Sequence, residues 1–97
     1  RNGIIKGNLN FESIKFPFPI YIKNCTCEGI VVLRSIETKT ISFEGSLFEE
    51  VLDARDCKID GQVVLRDCEF KRPVLFRDSI VTGMLNTLGA SFTYDPL

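Results

Sequence analysis

Residues 61–92 read GQVVLRDCEFKRPVLFRDSIVTGMLNTLGASF. Apolar or small residues recur here as pairs two positions apart: Val63/Leu65, Cys68/Phe70, Val74/Phe76, Ser79/Val81, Leu85/Thr87 and Ala90/Phe92. The steps between first members are 5, 6, 5, 6 and 5, so two pairs advance the numbering by 11 and four by 22. Side chains two apart share one face of an extended segment. A helix would need apolar residues three and four apart over a longer window, and none persists. Short strands that turn a corner at every fifth or sixth position close into a square coil. Such coils stack through parallel ladder hydrogen bonds ~4.8 Å apart. The stretch predicts an all-β, four-sided parallel β-solenoid.

The same rule extends backward through Leu9/Phe11, Ile14/Phe16, Ile20/Ile22, Cys25/Cys27, Val31/Leu33, Ile36/Thr38, Ile41/Phe43, Ser46/Phe48, Leu52/Ala54 and Cys57/Ile59. One step breaks the alternation: Ile36 to Ile41 is 5 where 6 is due, which places a one-residue deletion near Lys39. Stacking about four coils with a period of 22 gives four internal columns. The first runs from Leu9/Phe11 to Val74/Phe76, the second from Ile14/Phe16 to Ser79/Val81, and the third from Ile20/Ile22 to Leu85/Thr87. The fourth holds Cys25/Cys27, Ser46/Phe48, Cys68/Phe70 and Ala90/Phe92, a small residue followed, in three of four cases, by Phe. Gly3/Ile5 reads as an earlier member of that column.

The corners agree with the columns. Gly7 and Gly29 lie 22 apart, as do Gly61 and Gly83, each two positions before a pair. Glycine there predicts the positive φ of a tight turn. Asn24, Asp56, Asp67 and Asp78 each precede a small first member, where Asx side chains can bond open corner amides. Pro19 and Pro73 precede Ile20 and Val74, at sites where a ladder donor is not needed.

Asp67-Cys68-Glu69-Phe70 and Gly89-Ala90-Ser91-Phe92 carry a small-x-Phe core that resembles the pentapeptide-repeat family. The resemblance runs from about Gly3 to Phe92 and implies a right-handed quadrilateral β-helix, the hand also expected of parallel crossovers. The chain departs from the family pattern: the middle Asp or Asn is mostly missing, and steps of 6 alternate with steps of 5. A leucine-rich repeat shares the period of 22. It would put one strand in each repeat, whereas here all four sides carry the pairing.

Ninety-seven residues, 44% apolar and 26% charged, suit a single domain spanning 1–97. Beginning at Arg1, it reads as a piece of a longer chain. A net charge of -1 makes no electrostatic case for nucleic acid or an acidic membrane. No apolar run reaches the ~20 residues of a membrane span.

Cys25, Cys27, Cys57 and Cys68 invite metal or disulfide readings. Cys25 and Cys27 are too closely spaced for the usual zinc pair, and histidine is absent. Cys25 and Cys68 share a column but stand two coils apart, beyond disulfide reach. All four are expected to be reduced core fillers, which points to a cytoplasmic setting. Without histidine there is no Ser-His-Asp scheme. The Glu49-Glu50 pair falls at a corner rather than in a cleft. No catalytic residue, metal or cofactor is expected, and the chain is read as not an enzyme.

Two surface features stand out. Arg34, Arg55 and Arg77 follow the first column and should form a ladder beside Ser35, Asp56 and Asp78. It reads either as an anion-binding stripe or as mutually compensating surface charge. Ile30, Val51 and Pro73 occupy one corner, with Val32 and Leu75 outward on the adjoining side, an expected apolar interaction ridge.

These features point to a non-catalytic structural or protein-interaction module. Its expected partner is a protein, a neighbouring domain or a second copy packed by end or edge, without nucleic acid or membrane insertion. The resemblance implies an alternative, a DNA mimic that binds a topoisomerase, but that mode needs an acidic rod. A carbohydrate-active β-helix is the further alternative and needs a groove lined by carboxylates.

Overall fold

The computed structural model describes residues 3–92. Pairs of inward side chains at period two make short parallel strands on four sides. Side one stacks Leu9–Asn10, Val31–Val32, Leu52–Asp53 and Val74–Leu75. Side two stacks Glu37–Thr38, Lys58–Ile59 and Ile80–Val81, with Lys15 bridging to Glu37. Side three stacks Ile20–Tyr21, Ile41–Ser42, Val63–Val64 and Leu85–Asn86. Side four stacks Gly3–Ile5, Cys25–Cys27, Leu47–Phe48, Glu69–Phe70 and Ser91–Phe92. Every pairing is parallel, and the described residues contain no helix. The chain is a β-solenoid of about four coils.

The register bears out the deletion. Leu9 pairs with Val31 and Val63 with Leu85, a step of 22 in both cases. Ile20 pairs with Ile41, a step of only 21. Between Thr38 and Ile41 the corner holds just Lys39 and Thr40, where the corners on either side hold Pro17–Pro19 and Gly61 with its two neighbours.

Coils two and three bury the core: Val31, Leu33, Ile36, Ile41, Phe43, Phe48, Leu52, Ile59, Val63, Leu65 and Phe70 are all essentially inaccessible. Down side four, Phe48 stacks on Phe70 with centroids 4.9 Å apart, and Phe70 on Phe92 at 5.1 Å. That spacing matches the ladder rise, so each ring packs flat on its repeat. Phe43 meets Phe48 edge-on at 5.1 Å and closes the lumen across the corner.

The corners come in two kinds. Those joining sides one to two and three to four have two residues between pairs, the second at positive φ: Ser13, Ser35, Asp56 and Asp78 at one, Asn24, Gly45, Asp67 and Gly89 at the other. The Asx residues marked in the sequence thus serve these corners through left-handed backbone, which Asn and Asp tolerate, rather than through amide capping. The amides are met instead from the strands, Glu12 N–H by Asn10 at 2.9 Å and Leu88 N–H by Asn86 at 3.1 Å. Glycine at 45 has a second cause: a Cβ there would lie 2.3 Å from Asn24 Oδ1.

The small first members complete these tight corners. Cys68 Sγ donates to Phe43 O at 2.8 Å and Cys57 Sγ to Leu33 O at 3.0 Å. Ser46 Oγ donates to Ile22 O at 3.1 Å and accepts from Cys25 N at 3.2 Å. Ser79 Oγ likewise donates to Ala54 O and accepts from Cys57 N. Ser46, Cys57, Cys68 and Ser79 thus tie their corners to the neighbouring coil: the two cysteines add a second donor to carbonyls that already accept a turn amide, and the two serines replace the missing turn bond.

The corners joining sides two to three and four to one are wider, with three residues between pairs except at the deletion. Gly29 and Gly83 lie here without the positive φ the sequence suggested. Close approach demands them: a Cβ on Gly29 would stand 2.2 Å from Gly7 O, and one on Gly83 2.4 Å from Gly61 O. Off-ladder amides go to side chains, as Ile30 N–H to Asn8 Oδ1 at 2.9 Å. Proline at 73, one coil beyond Val51 in that row, removes a donor the backbone ladder does not use.

Candidate functional site

The arginine ladder forms, and most of it is compensated. Successive coils stack Arg34, Arg55 and Arg77 through the bonds Ser35 N–H to Arg55 O and Asp56 N–H to Arg77 O. Arg34 pairs with Glu12 at 3.2 Å and lies 3.9 Å from Asp53. Arg55 clamps Asp53 through Nε and Nη2, each at 2.9 Å. Among the described residues Arg77 pairs only with Asp78, at 3.7 Å in solvent. Asp53 is the unusual member, an outward carboxylate only 7% exposed. The Arg55 side-chain bonds hold its carboxyl below the ordinary value of 3.8, against burial, which raises it.

Asp53 also divides the expected ridge. It is in register with Val32 on one side and Leu75 on the other, so these two do not touch as a continuous strip. Ile30 (38% exposed) and Leu75 (36%) face solvent, while Val32, Val51 and Pro73 are half-buried. Ile30 and Val51 stack at the wide corner, and Pro73 follows in that row.

The cysteines are free, with Cys27, Cys57 and Cys68 buried and Cys25 half-buried. Burial pushes the Cys27 and Cys68 thiols up to about 11, and also raises Cys57. These three are protonated at neutral pH, and Cys57 and Cys68 act as donors in the corners. Among the described residues, no group of three or more His, Cys, Asp or Glu converges as a metal site. Glu49 and Glu50 lie half-buried at a wide corner, Glu49 N–H bonding Cys27 O at 3.0 Å.

A second charge ladder lies on the tight corner between sides three and four. Glu44 accepts from Arg66 and lies 3.7 Å from Lys23. The Arg66 hydrogen bonds lower the Glu44 pKa.

Two features escaped the sequence reading. One is a pair of exposed aromatics three positions apart on coil one: Phe18 is 68% exposed and Tyr21 61%, with Lys23 Nζ 5.2 Å from the Tyr21 ring centroid. The Phe16-Pro17-Phe18-Pro19 run carries the signal, since Phe18 falls outside the pair register. The other is a groove of about 520 Å³ where the short Lys39-Thr40 corner lies between two longer ones. Phe16 and Pro17 line its upper end, Ile80 and Thr82 its lower end, and Glu37, Lys58 and Asp60 lie between them. The phase slip at Lys39 was its trace in the sequence.

No family model matches the chain, and no curated protein or solved structure is similar enough to match it. Among the described residues no helix is long and apolar enough to cross a membrane.

Proposed function

We propose that this chain is a non-catalytic interaction module of the pentapeptide-repeat kind, presenting its corners to a protein partner. The kinship is supported by the small residue and stacked Phe of side four and by the left-handed tight corners. The observation that carries the interaction reading is the exposed aromatic pair on coil one, Phe18 and Tyr21. Phe18 and Tyr21 stand in solvent three positions apart, outside the inward-facing pairs. Large aromatic side chains gathered on one surface are characteristic of interface anchors. The corner that bears Phe18 is held in place, because Thr38 Oγ1 donates to Phe18 O at 2.9 Å. Interleaved charge supports a protein partner over mimicry of DNA: Glu12 with Arg34, Glu44 with Arg66 and Asp60 with Lys39 are all paired.

The test is Phe18→Ser with Tyr21→Ser in the full-length chain. The variant should keep the thermal midpoint of the parent yet lose a stoichiometric partner in quantitative affinity capture, or change mass in light scattering. Val32→Glu with Leu75→Glu, on the divided ridge, is the matched control surface. Unchanged partners and unchanged mass in both variants would sink the reading.

A further inference from the structure

The groove at the deletion has a size, a direction and a charge. It crosses side two and its wide corner from Phe16 on coil one to Ile80 on coil four. Four coils give three rises of ~4.8 Å, a path of roughly 14 Å. An extended chain advances about 3.3 Å per residue, so four residues span about 13 Å. The groove is open along its length, with a volume of about 520 Å³, a form suited to a laid-in extended segment rather than an enclosed ligand.

Three lysines and two acids rim the groove, leaving it one positive charge in excess: Lys15, Lys39 and Lys58 against Glu37 and Asp60. Lys15 pairs with Glu37 at 3.5 Å, and Lys39 with Asp60 at 3.7 Å. Lys58 forms no ion pair among the described residues, although its Cα neighbour in the ladder is Glu37. It is exposed on coil three, one ladder step from Ile80 on the outward face of side two.

We propose that this groove binds an extended apolar peptide segment of about four residues, with one carboxylate directed at Lys58. The inference rests on the interaction-module reading and names the partner element that a second surface of the module takes. Apolar side chains of the segment bury against Phe16, Pro17 and Ile80, which are exposed along the groove, and the carboxylate supplies the counter-charge that Lys58 lacks. The short corner makes the site. A residue restored between Lys39 and Thr40 brings that corner level with its neighbours and fills the notch.

The probe is the capped tetrapeptide acetyl-Leu-Asp-Leu-Phe-amide, with its Asn counterpart, titrated into the labelled protein and followed by amide NMR shifts. Shifts should concentrate on Thr38, Lys39, Lys58, Ile59 and Ile80, and the Asp peptide should bind at least about fivefold more tightly, about 1 kcal/mol. Lys58→Gln should remove that preference while leaving the spectrum otherwise intact. Insertion of Gly between Lys39 and Thr40 should abolish binding of both peptides in a chain that keeps its dispersed spectrum. The proposal is overturned by no shifts at millimolar peptide, by shifts scattered outside the groove, or by equal affinity of the two peptides. Phenylacetate shifting the groove amides where neither peptide does would overturn it in favour of a small carboxylate. Loss of groove binding with the Phe18 and Tyr21 result intact removes this inference alone and leaves the module reading standing.

Discussion

The tight and wide corners of this solenoid do the same work by different means. A tight corner uses left-handed backbone at Asp67 and a buried donor, Cys68, that reaches Phe43 O in the preceding coil. Its length is locked, because one more residue would move the donor off its carbonyl and the next pair out of the lumen. A wide corner relies on close glycine contacts and on side-chain oxygens such as Asn8 and Thr40. At Lys39-Thr40 it has lost a residue while Ile41 still pairs with Ile20 and Val63. The tight corners therefore specify the coil, and the wide ones are free to shape its surface. Phe18, the Lys39 rim of the groove and the Ile30–Val51–Pro73 row all lie at wide corners.

The largest test of this contrast is a pair of insertions. One Gly between Arg66 and Asp67 should cost at least about 3 kcal/mol or end cooperative unfolding, through lost core contacts and corner hydrogen bonds. One Gly between Lys39 and Thr40 should cost no more than about 1 kcal/mol, since a flexible corner changes little with length. Urea denaturation of both variants decides it; equal losses would erase the distinction.

Removing single hydroxyls sharpens the comparison. Ser46→Ala deletes a group that bridges Ile22 O and Cys25 N in the core, and should cost about 1–3 kcal/mol. Thr40→Ala removes only a 3.5 Å contact to Gln62 N–H at a wide corner, and should stay within about 0.5 kcal/mol. Chemical unfolding midpoints would show the two alike if the tight corners held no special role.

A smaller effect is set by pH. Asp53, which caps the tight corner at Arg55, has a folded-state pKa below its ordinary 3.8. A depressed carboxyl contributes stability above its unfolded pKa and loses it as pH falls through the folded one. Thermal midpoints of the parent should thus drop as pH falls below about 4, and Asp53→Asn should flatten that acid limb. A variant with the same acid limb as the parent would show that Asp53 contributes nothing to it. Smallest of all, Arg77→Ala breaks an exposed pair with Asp78 and should shift stability by no more than about 0.5 kcal/mol. A larger loss by differential scanning calorimetry would mean that the arginine ladder acts as a unit.

What the residues alone determined was the interior. An inward side chain must be apolar or small whatever surrounds the solenoid, so the pairs, the columns and the slip at Lys39 were all written in the spacing. The small residues before Phe could be placed in the core, though not given their carbonyl partners, because those lie 24 and 25 positions back in the chain. Outward residues carry no such constraint. Nothing in its spacing singles out Asp53, and only the fold of Arg55 over it, with Val32 and Leu75 as ladder neighbours, buries it. The glycines at 29 and 83 looked like turn residues, and only the stacked backbone shows that they are there for want of space. The groove depends on relief between three successive corners, a difference in height that no single stretch of sequence contains. Period two decides the inside of a solenoid locally; its surface is decided by what each coil finds above and below it.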